Sequence, residues 1–194
     1  MSTRHGRVIF LKDLIGESFD RVKKILEARE RTLSDSDTKA VALGAIVYSF
    51  LSQDRERDWI FEWDKVLAFE GNSGPYLQYT YVRWKKILDE IGPETTINNK
   101  LSTVNFTTFD RDIVLDILAF NELLIACGET YKFHLLIAHI ATMTRHLNAL
   151  YVNTPKLKET PENERGARIK IIRTSLEIIR YTATILGMPL PEEM

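Results

Sequence analysis

From residue 109 to residue 186 the apolar side chains of this chain return every three or four positions, and that spacing constrains the fold most. Ile113, Ile117, Phe120 and Leu124 recur in one segment. Phe133, Leu136, Ile140, Met143, Leu147 and Leu150 follow in the next, then Ile169, Ile172, Leu176, Ile179, Ala183 and Leu186 in the last. Residues so spaced share one face of an α-helix and scatter over both faces of a strand. Helices are therefore expected over 109–127, 131–151 and 162–186. The alternating three-and-four spacing of the last suits packing along a neighbouring helix.

The amino-terminal half carries the same period less cleanly. Asp13 is suited to cap a helix running to about Arg31, with Leu14, Phe19, Val22, Ile25 and Leu26 as a loose apolar stripe. The cluster Ser-Asp-Ser-Asp at 34–37 precedes AVALGAIVYSFL, a run apolar enough to read as a buried helix over 38–51. After the polar break SQDRERD comes WIFEWDKVLAF. Asn72-Ser73-Gly74-Pro75 then interrupts the chain, and Pro75 suits the first turn of a helix that Gly92-Pro93 would end. VIFL, at 8–11, could form a short strand, and the Thr- and Asn-rich stretch 94–108 reads as a loop. No fixed-period repeat is present. The expected class is all-α: a helical bundle with a short irregular or strand-like amino-terminal segment.

Composition narrows the function. The 194 residues hold 26 Lys and Arg against 27 Asp and Glu, a net charge of −1. No global positive field draws a polyanion, so a DNA-backbone binder is not expected and any RNA would be held by local features. One cysteine, Cys127, forbids an intrachain disulfide and points to a reducing compartment. No run approaches a membrane span, and MSTRHGRVIF lacks the apolar segment of a secretory signal. The expected location is cytoplasmic, with no membrane partner.

The helix expected over 75–91 carries a contrast between its faces. At about 100° per residue, Leu77, Tyr81, Trp84 and Leu88 form one core stripe. Tyr76, Tyr79 and Arg83 fall together elsewhere, on a face shared with Lys86 and Glu90. Two readings stand. Another segment covers the tyrosines and they pack, as Tyr often does when half buried. Or they form a stacking platform for unpaired bases, each worth about 1–3 kcal/mol, the way single-stranded RNA loops are read.

Other constellations carry less. Of His134, His139 and His146, only the last two share a face. Seven residues separate them by about 10 Å along a helix, too far for one metal with nitrogen ligands at about 2 Å; no metal site is expected. Cys127 reads as packing. Asp110 and Asp112 read as charges at a helix start, Glu192 and Glu193 as tail solubility. Arg165, Arg168, Arg173 and Arg180 read as a solvated face, with phosphate contact as the alternative.

The block FEWDKVLAFEGNSGPYLQYTYVR resembles the start of the anticodon-binding domain of arginyl-tRNA synthetases, a class I family. The ending TILGMPLPEEM is similar to that family's close, LYVNTPKL to its Tyr followed by a Pro-containing turn, and MSTRHGRVIFLKDL to the M-S-T-R-x-G motif it carries in place of the KMSKS loop. With LYVNTPKL and TILGMPLPEEM taken together as the ending, the start, middle and end blocks follow the family's order and cover essentially the whole chain. The resemblance implies an anticodon site of Tyr76, Tyr79, Arg83, Tyr151 and Met194, an ATP-loop remnant of Ser2, Thr3 and Arg4, and arginine tRNA as partner. Glu193, His5 and Val47 stand where the family often has Arg or Lys, each removing a positive charge.

The organisation expected is a junction remnant of the catalytic domain over 1–34, contacting the stem or forming the loop, and an anticodon-binding domain over 35–194. No H-I-G-H-like motif, Walker loop or G-x-G-x-x-G is present. The chain is therefore expected to have no catalytic residue or cofactor of its own, ATP belonging to the full ligase. Alone it is expected to bind tRNA and to fail in arginine-dependent pyrophosphate exchange. The alternative function is a protein-interaction module docking on a separate catalytic synthetase chain.

Overall fold

The computed structural model describes residues 10–92 and 104–194. Among the described residues there are seven α-helices and no strand: α1 (Leu11–Ala28), α2 (Asp35–Leu51), α3 (Trp63–Val66), α4 (Gly74–Ile91), α5 (Thr108–Thr130), α6 (His134–Asn153) and α7 (Glu162–Ile185). A 3₁₀ turn, Leu157–Glu159, precedes α7. The all-α expectation holds. Of the strand expected at 8–11, residues 8 and 9 lie outside the described residues, Phe10 is extended, and Leu11 already opens α1. The loop expected at 94–108 lies largely outside them too. The chain divides into two compact units, Met1–Tyr79 with Ala183–Met194, and Thr80–Thr182.

In the first unit α1 packs on α2. Leu14, Val22 and Leu26 of α1 meet Val41, Ala42, Ala45 and Ile46 of α2, with Val66 and Leu67 closing the core. Each of the Val, Leu and Ile side chains, fully buried, contributes about 1.5–3 kcal/mol. The fully buried Ser18 donates its hydroxyl to the Ala42 carbonyl at 3.1 Å, a polar pin between the two helices. α1 begins before the expected cap: Phe10 precedes it without a side-chain cap, and Asp13 lies in the first turn, where its charge favours the helix dipole. Ser34 caps α2 as its sequence suggests, accepting from the Asp37 N–H at 3.0 Å. The aromatic run beyond α2 yields only the single turn of α3. Its rings instead form an edge-to-face chain, Phe50–Trp59–Phe61–Trp63, with successive centroids 5.0, 5.4 and 4.8 Å apart.

α4 starts where Ser73 caps it, the Ser73 hydroxyl accepting from the Tyr76 N–H at 3.3 Å. Gly44 and Gly74 let α2 and the start of α4 approach closely. A methyl on Gly74 would lie 2.8 Å from the Ala45 Cα, and one on Gly44 would overlap the Gln78 amide.

In the second unit α5 packs on α6, and Ile113, Leu136, Ile137, Ile140, Met143, Leu147, Leu150, Ile172 and Ile179 are fully buried. Trp84 of α4 donates its indole N–H to the Leu147 carbonyl at 3.3 Å. α5 begins at Thr108 because Thr107 and Asp110 form a reciprocal capping box. It runs on to Thr130, where Tyr131 closes it in the left-handed conformation, φ 55°. Tyr131 therefore ends one helix instead of starting the next.

Asp110 stands in the first turn of α5, where its sequence position suggests a helix-start charge, and is buried there. One charge reading is corrected: Arg168 is not on a solvated face. The Asp110 and Arg168 side chains are 1% and 5% exposed and pair through Arg168 Nε–Asp110 Oδ1 at 2.8 Å and Nη2–Oδ2 at 2.9 Å. The capping box puts the carboxylate where the α7 guanidinium can reach it in bidentate geometry. Arg173, by contrast, donates to the Gly92 carbonyl at 3.1 Å, at the end of α4.

His139 and His146 are held by neighbours within the second unit. His146 Nδ1 lies 2.7 Å from an Asp116 carboxylate oxygen, and the His139 ring stacks on Phe120 with centroids 6.0 Å apart. Among the described residues no group of three metal-ligating side chains forms. Burial holds the His139 pKa below its ordinary value of 6.5, with Asp116 opposing the shift. The unfolded chain then binds a proton at His139 before the folded one does, so stability falls as pH drops below about 6.5. Thermal melts between pH 7.5 and 5 are expected to show that fall, and His139→Phe to flatten it; an unchanged slope in the variant would refute the assignment. Burial likewise pushes the Cys127 thiol up, in keeping with a packing role.

Candidate nucleic-acid interface

α4 sorts its side chains by face much as its sequence suggests. Leu77, Trp84 and Leu88 are buried. Tyr81, expected with them, is only half buried. Gln78 and Thr80 are fully buried instead, so α4 is covered over a wider arc than the apolar stripe alone marks. On the opposite side, 76, 79, 83, 86 and 90 alternate at three and four residues. Tyr79 is 36% exposed, Lys86 and Glu90 are exposed, and Tyr76 and Arg83 are half buried. None of the three proposed α4 contacts is sealed in the interior.

Arg83 and Tyr151 are brought together within the second unit. The guanidinium carbon lies 4.2 Å from the Tyr151 ring centroid. An Arg83 Nη2 N–H donates to the Asn148 side-chain oxygen, and the Asn148 amide donates onward to the Thr80 hydroxyl at 2.8 Å. Trp84 meets the same phenol edge-on, centroids 5.8 Å apart at 87°. Tyr151 remains 45% exposed. The outcome is a guanidinium plane laid on a half-exposed ring, both fixed by buried neighbours, a cation–π contact worth about 0.5–1 kcal/mol at such exposure.

Tyr76, Tyr79 and Met194 belong to the first unit. Met194 is half buried and packs against that unit's apolar core. The tail leading to it is tied down. The Glu192 N–H donates to Asp37 at 2.8 Å, and the Pro189 carbonyl accepts from the Gln78 amide, also at 2.8 Å. The Ser34 hydroxyl, helped by the Glu192 and Glu193 N–H groups, holds the Asp37 carboxyl below the usual carboxylate range against a smaller effect of burial. Ser2, Thr3 and Arg4 lie outside the described residues.

Sequence reasoning missed Gln78, Asn148 and the Asp37 tail contact. One signal for Gln78 was available: Gly44, an isolated glycine inside an apolar helix, marks a close approach.

A model of the DALR anticodon binding domain matches residues 77–194, and one of the class I (R) tRNA synthetase catalytic domain matches residues 1–63. The arginine–tRNA ligase of Fusobacterium nucleatum is 31% identical over all of this chain and 35% of its own length. That of Halothermothrix orenii is 31% identical over all of this chain and 34% of its own. The chain thus spans about a third of the curated relatives it matches. The solved Thermus thermophilus arginyl-tRNA synthetase superposes with a TM-score of 0.85 at 26% identity, over 96% of this chain and 32% of that one. The Plasmodium falciparum arginyl-tRNA synthetase, at 23% identity and a TM-score of 0.80 over 96% of this chain and 34% of its own, shares the fold. With more than half of its residues matched by one family model, the chain belongs to the DALR anticodon binding domain family.

Proposed function

We propose that this chain binds the anticodon loop of an arginine-accepting tRNA, as the anticodon-reading part of an arginine–tRNA ligase. Tyr76 and Tyr79 offer stacking surfaces, Arg83 on Tyr151 offers a second planar platform with charge, and Met194 supplies an apolar contact at the end of the pinned tail. The observation that carries the reading is Tyr79 standing 36% exposed on α4 while its neighbours Leu77 and Gln78 are fully buried. A large aromatic left outward on an otherwise polar face suits a flat ligand. Residues 2–4, which the resemblance would set against ATP, lie outside the described residues, and no step of this proposal runs through them.

The test is a gel shift of the purified chain with an arginine tRNA against the same transcript carrying a different anticodon. The native anticodon is expected to bind about tenfold or more tighter, because bases splayed onto the tyrosines are read at their hydrogen-bonding edges, whereas stacking alone tolerates any base. Because the chain carries a net charge of −1, the affinity is expected to fall only shallowly with salt, consistent with few phosphate contacts. Equal affinity for both transcripts would refute the reading.

A further inference from the structure

Gln78 sits on α4 between Tyr76 and Tyr79, yet its side chain faces the other way and is wholly buried. Its amide nitrogen donates twice: to the Ala40 carbonyl of α2 at 2.9 Å and to the Pro189 carbonyl of the carboxy-terminal tail at 2.8 Å. Those two acceptors fix the orientation of the amide, because only the nitrogen can donate. Its oxygen is buried without a hydrogen-bond partner. A buried acceptor left unmade is a cost to stability, which the two bonds from the amide nitrogen offset only in part. Gly44 of α2 makes the room: a side chain there would overlap the amide and press on the Pro189 carbonyl.

Beyond Pro189 the tail has other ties too, among them the Glu192 and Glu193 N–H groups on Asp37. Pro191 is buried. Met194 then packs on the apolar core of the first unit. Gln78 joins the helix bearing the exposed tyrosine to the tail that ends at Met194, all within the first unit.

We propose that Gln78 is a positioning residue that locks the carboxy-terminal tail onto α4, so that Met194 and the Tyr76–Tyr79 face are presented to the ligand as one pre-set surface. This rests on the anticodon-binding function proposed above. A locked tail avoids the ordering cost that a loose one would incur on binding. Gln78 itself touches no ligand; it acts through Pro189.

The experiment compares four forms: the 194-residue wild type, Gln78→Met, which keeps length and bulk but removes both donors, a chain lacking residues 189–194, and the two changes combined. Hydrogen exchange is followed at Glu192 and at α2 and α4 amides, and affinity is measured for arginine-tRNA transcripts with native and altered anticodon. Gln78→Met is expected to accelerate exchange at Glu192 while helix amides stay protected, and to lower affinity for the native anticodon about tenfold, close to one lost stacked contact. Truncation is expected to give the same loss, and the two changes combined no further loss, since they remove one coupled element.

Wild-type exchange at Glu192 in Gln78→Met, or additive losses in the combined form, would overturn the inference. An anticodon preference intact in both wild type and Gln78→Met would overturn it alone. No preference in the wild type would overturn the proposed function and the binding role of Gln78 with it, while the exchange result still decides whether the tail is pinned. Should Gln78→Met not fold, Gly44→Ala displaces the same amide with the glutamine still present, and the same readings decide.

Discussion

Arg168→Met is expected to destabilise the chain by about 3–5 kcal/mol, a fall of about 10 °C in melting temperature for a chain of this length. The cost is not the value of a salt bridge. The Asp110 carboxylate is 1% exposed and keeps its charge because Arg168 faces it with two N–H groups. Take the guanidinium away and an uncompensated anion stays buried, held only by the Thr107 N–H at 2.9 Å and hydroxyl at 2.6 Å. A surface arginine replaced in the same way would change stability by no more than about 0.5 kcal/mol. The measurement that separates the two is a denaturant melt of Arg168→Met beside one of Arg180→Met, whose side chain is 58% exposed.

The double variant Asp110→Leu, Arg168→Met sharpens the argument. Replacing both charges by apolar groups of similar volume is often neutral. Here the pair also holds the capping box at the start of α5, and losing that cap costs about 1 kcal/mol. The double variant is therefore expected to recover most of the single variant's loss and to remain about 1 kcal/mol below wild type. Acid tests the same group. Burial alone would raise the Asp110 pKa, but hydrogen bonds from Arg168 and Thr107 outweigh it and the net shift is downward. The stability it contributes is present above its unfolded value, near 3.8, and is lost as pH falls through the lowered folded value.

How much of this was legible beforehand depends on how local the cause is. The period of α5, α6 and α7 lies in runs of adjacent residues, and those helices are found where the spacing puts them. Their ends moved by a few residues because Thr107 with Asp110 and the left-handed Tyr131 are cap events that hydrophobic spacing does not register. The buried Asp110–Arg168 pair spans 58 residues of sequence, and no periodicity connects two such positions. Gln78 is harder still, since its partners Ala40 and Pro189 lie 38 and 111 residues away and contribute only carbonyls, which every residue has. The outward face of α4 was readable because a helical wheel needs one helix alone. The contact of Arg83 with Tyr151 was not, although both residues were singled out through the family resemblance, for a wheel says nothing about which ring a guanidinium will lie on.

Tyr79→Ala is expected to weaken binding of the native anticodon by about 1–3 kcal/mol, the worth of one stacked base, which is about five- to 150-fold in Kd. Its effect on the melting temperature is expected to be small, because a ring 36% exposed on the outer face of α4 gives up little packing when removed. Tyr151→Leu should behave differently. That ring carries the Arg83 guanidinium at 4.2 Å and meets the edge of Trp84, so its loss removes one of the arginine's supports, leaving the bond to Asn148, as well as removing a face. A comparable loss of affinity is expected, together with a drop in stability of about 0.5–1 kcal/mol from the missing cation–π contact. Salt separates the two contributions. Stacking on Tyr79 involves no counterion release, so the ratio of wild-type to Tyr79→Ala affinity should stay constant between 50 and 200 mM salt, roughly the range over which phosphate contacts are tested. For Tyr151→Leu the ratio should shift, because a guanidinium no longer laid on its ring, though still bonded to Asn148, can turn its other N–H groups toward phosphate. A Tyr79→Ala chain that melts several degrees lower with its affinity unchanged would show that the ring serves the fold, and the proposed stacking site on α4 would have to be abandoned.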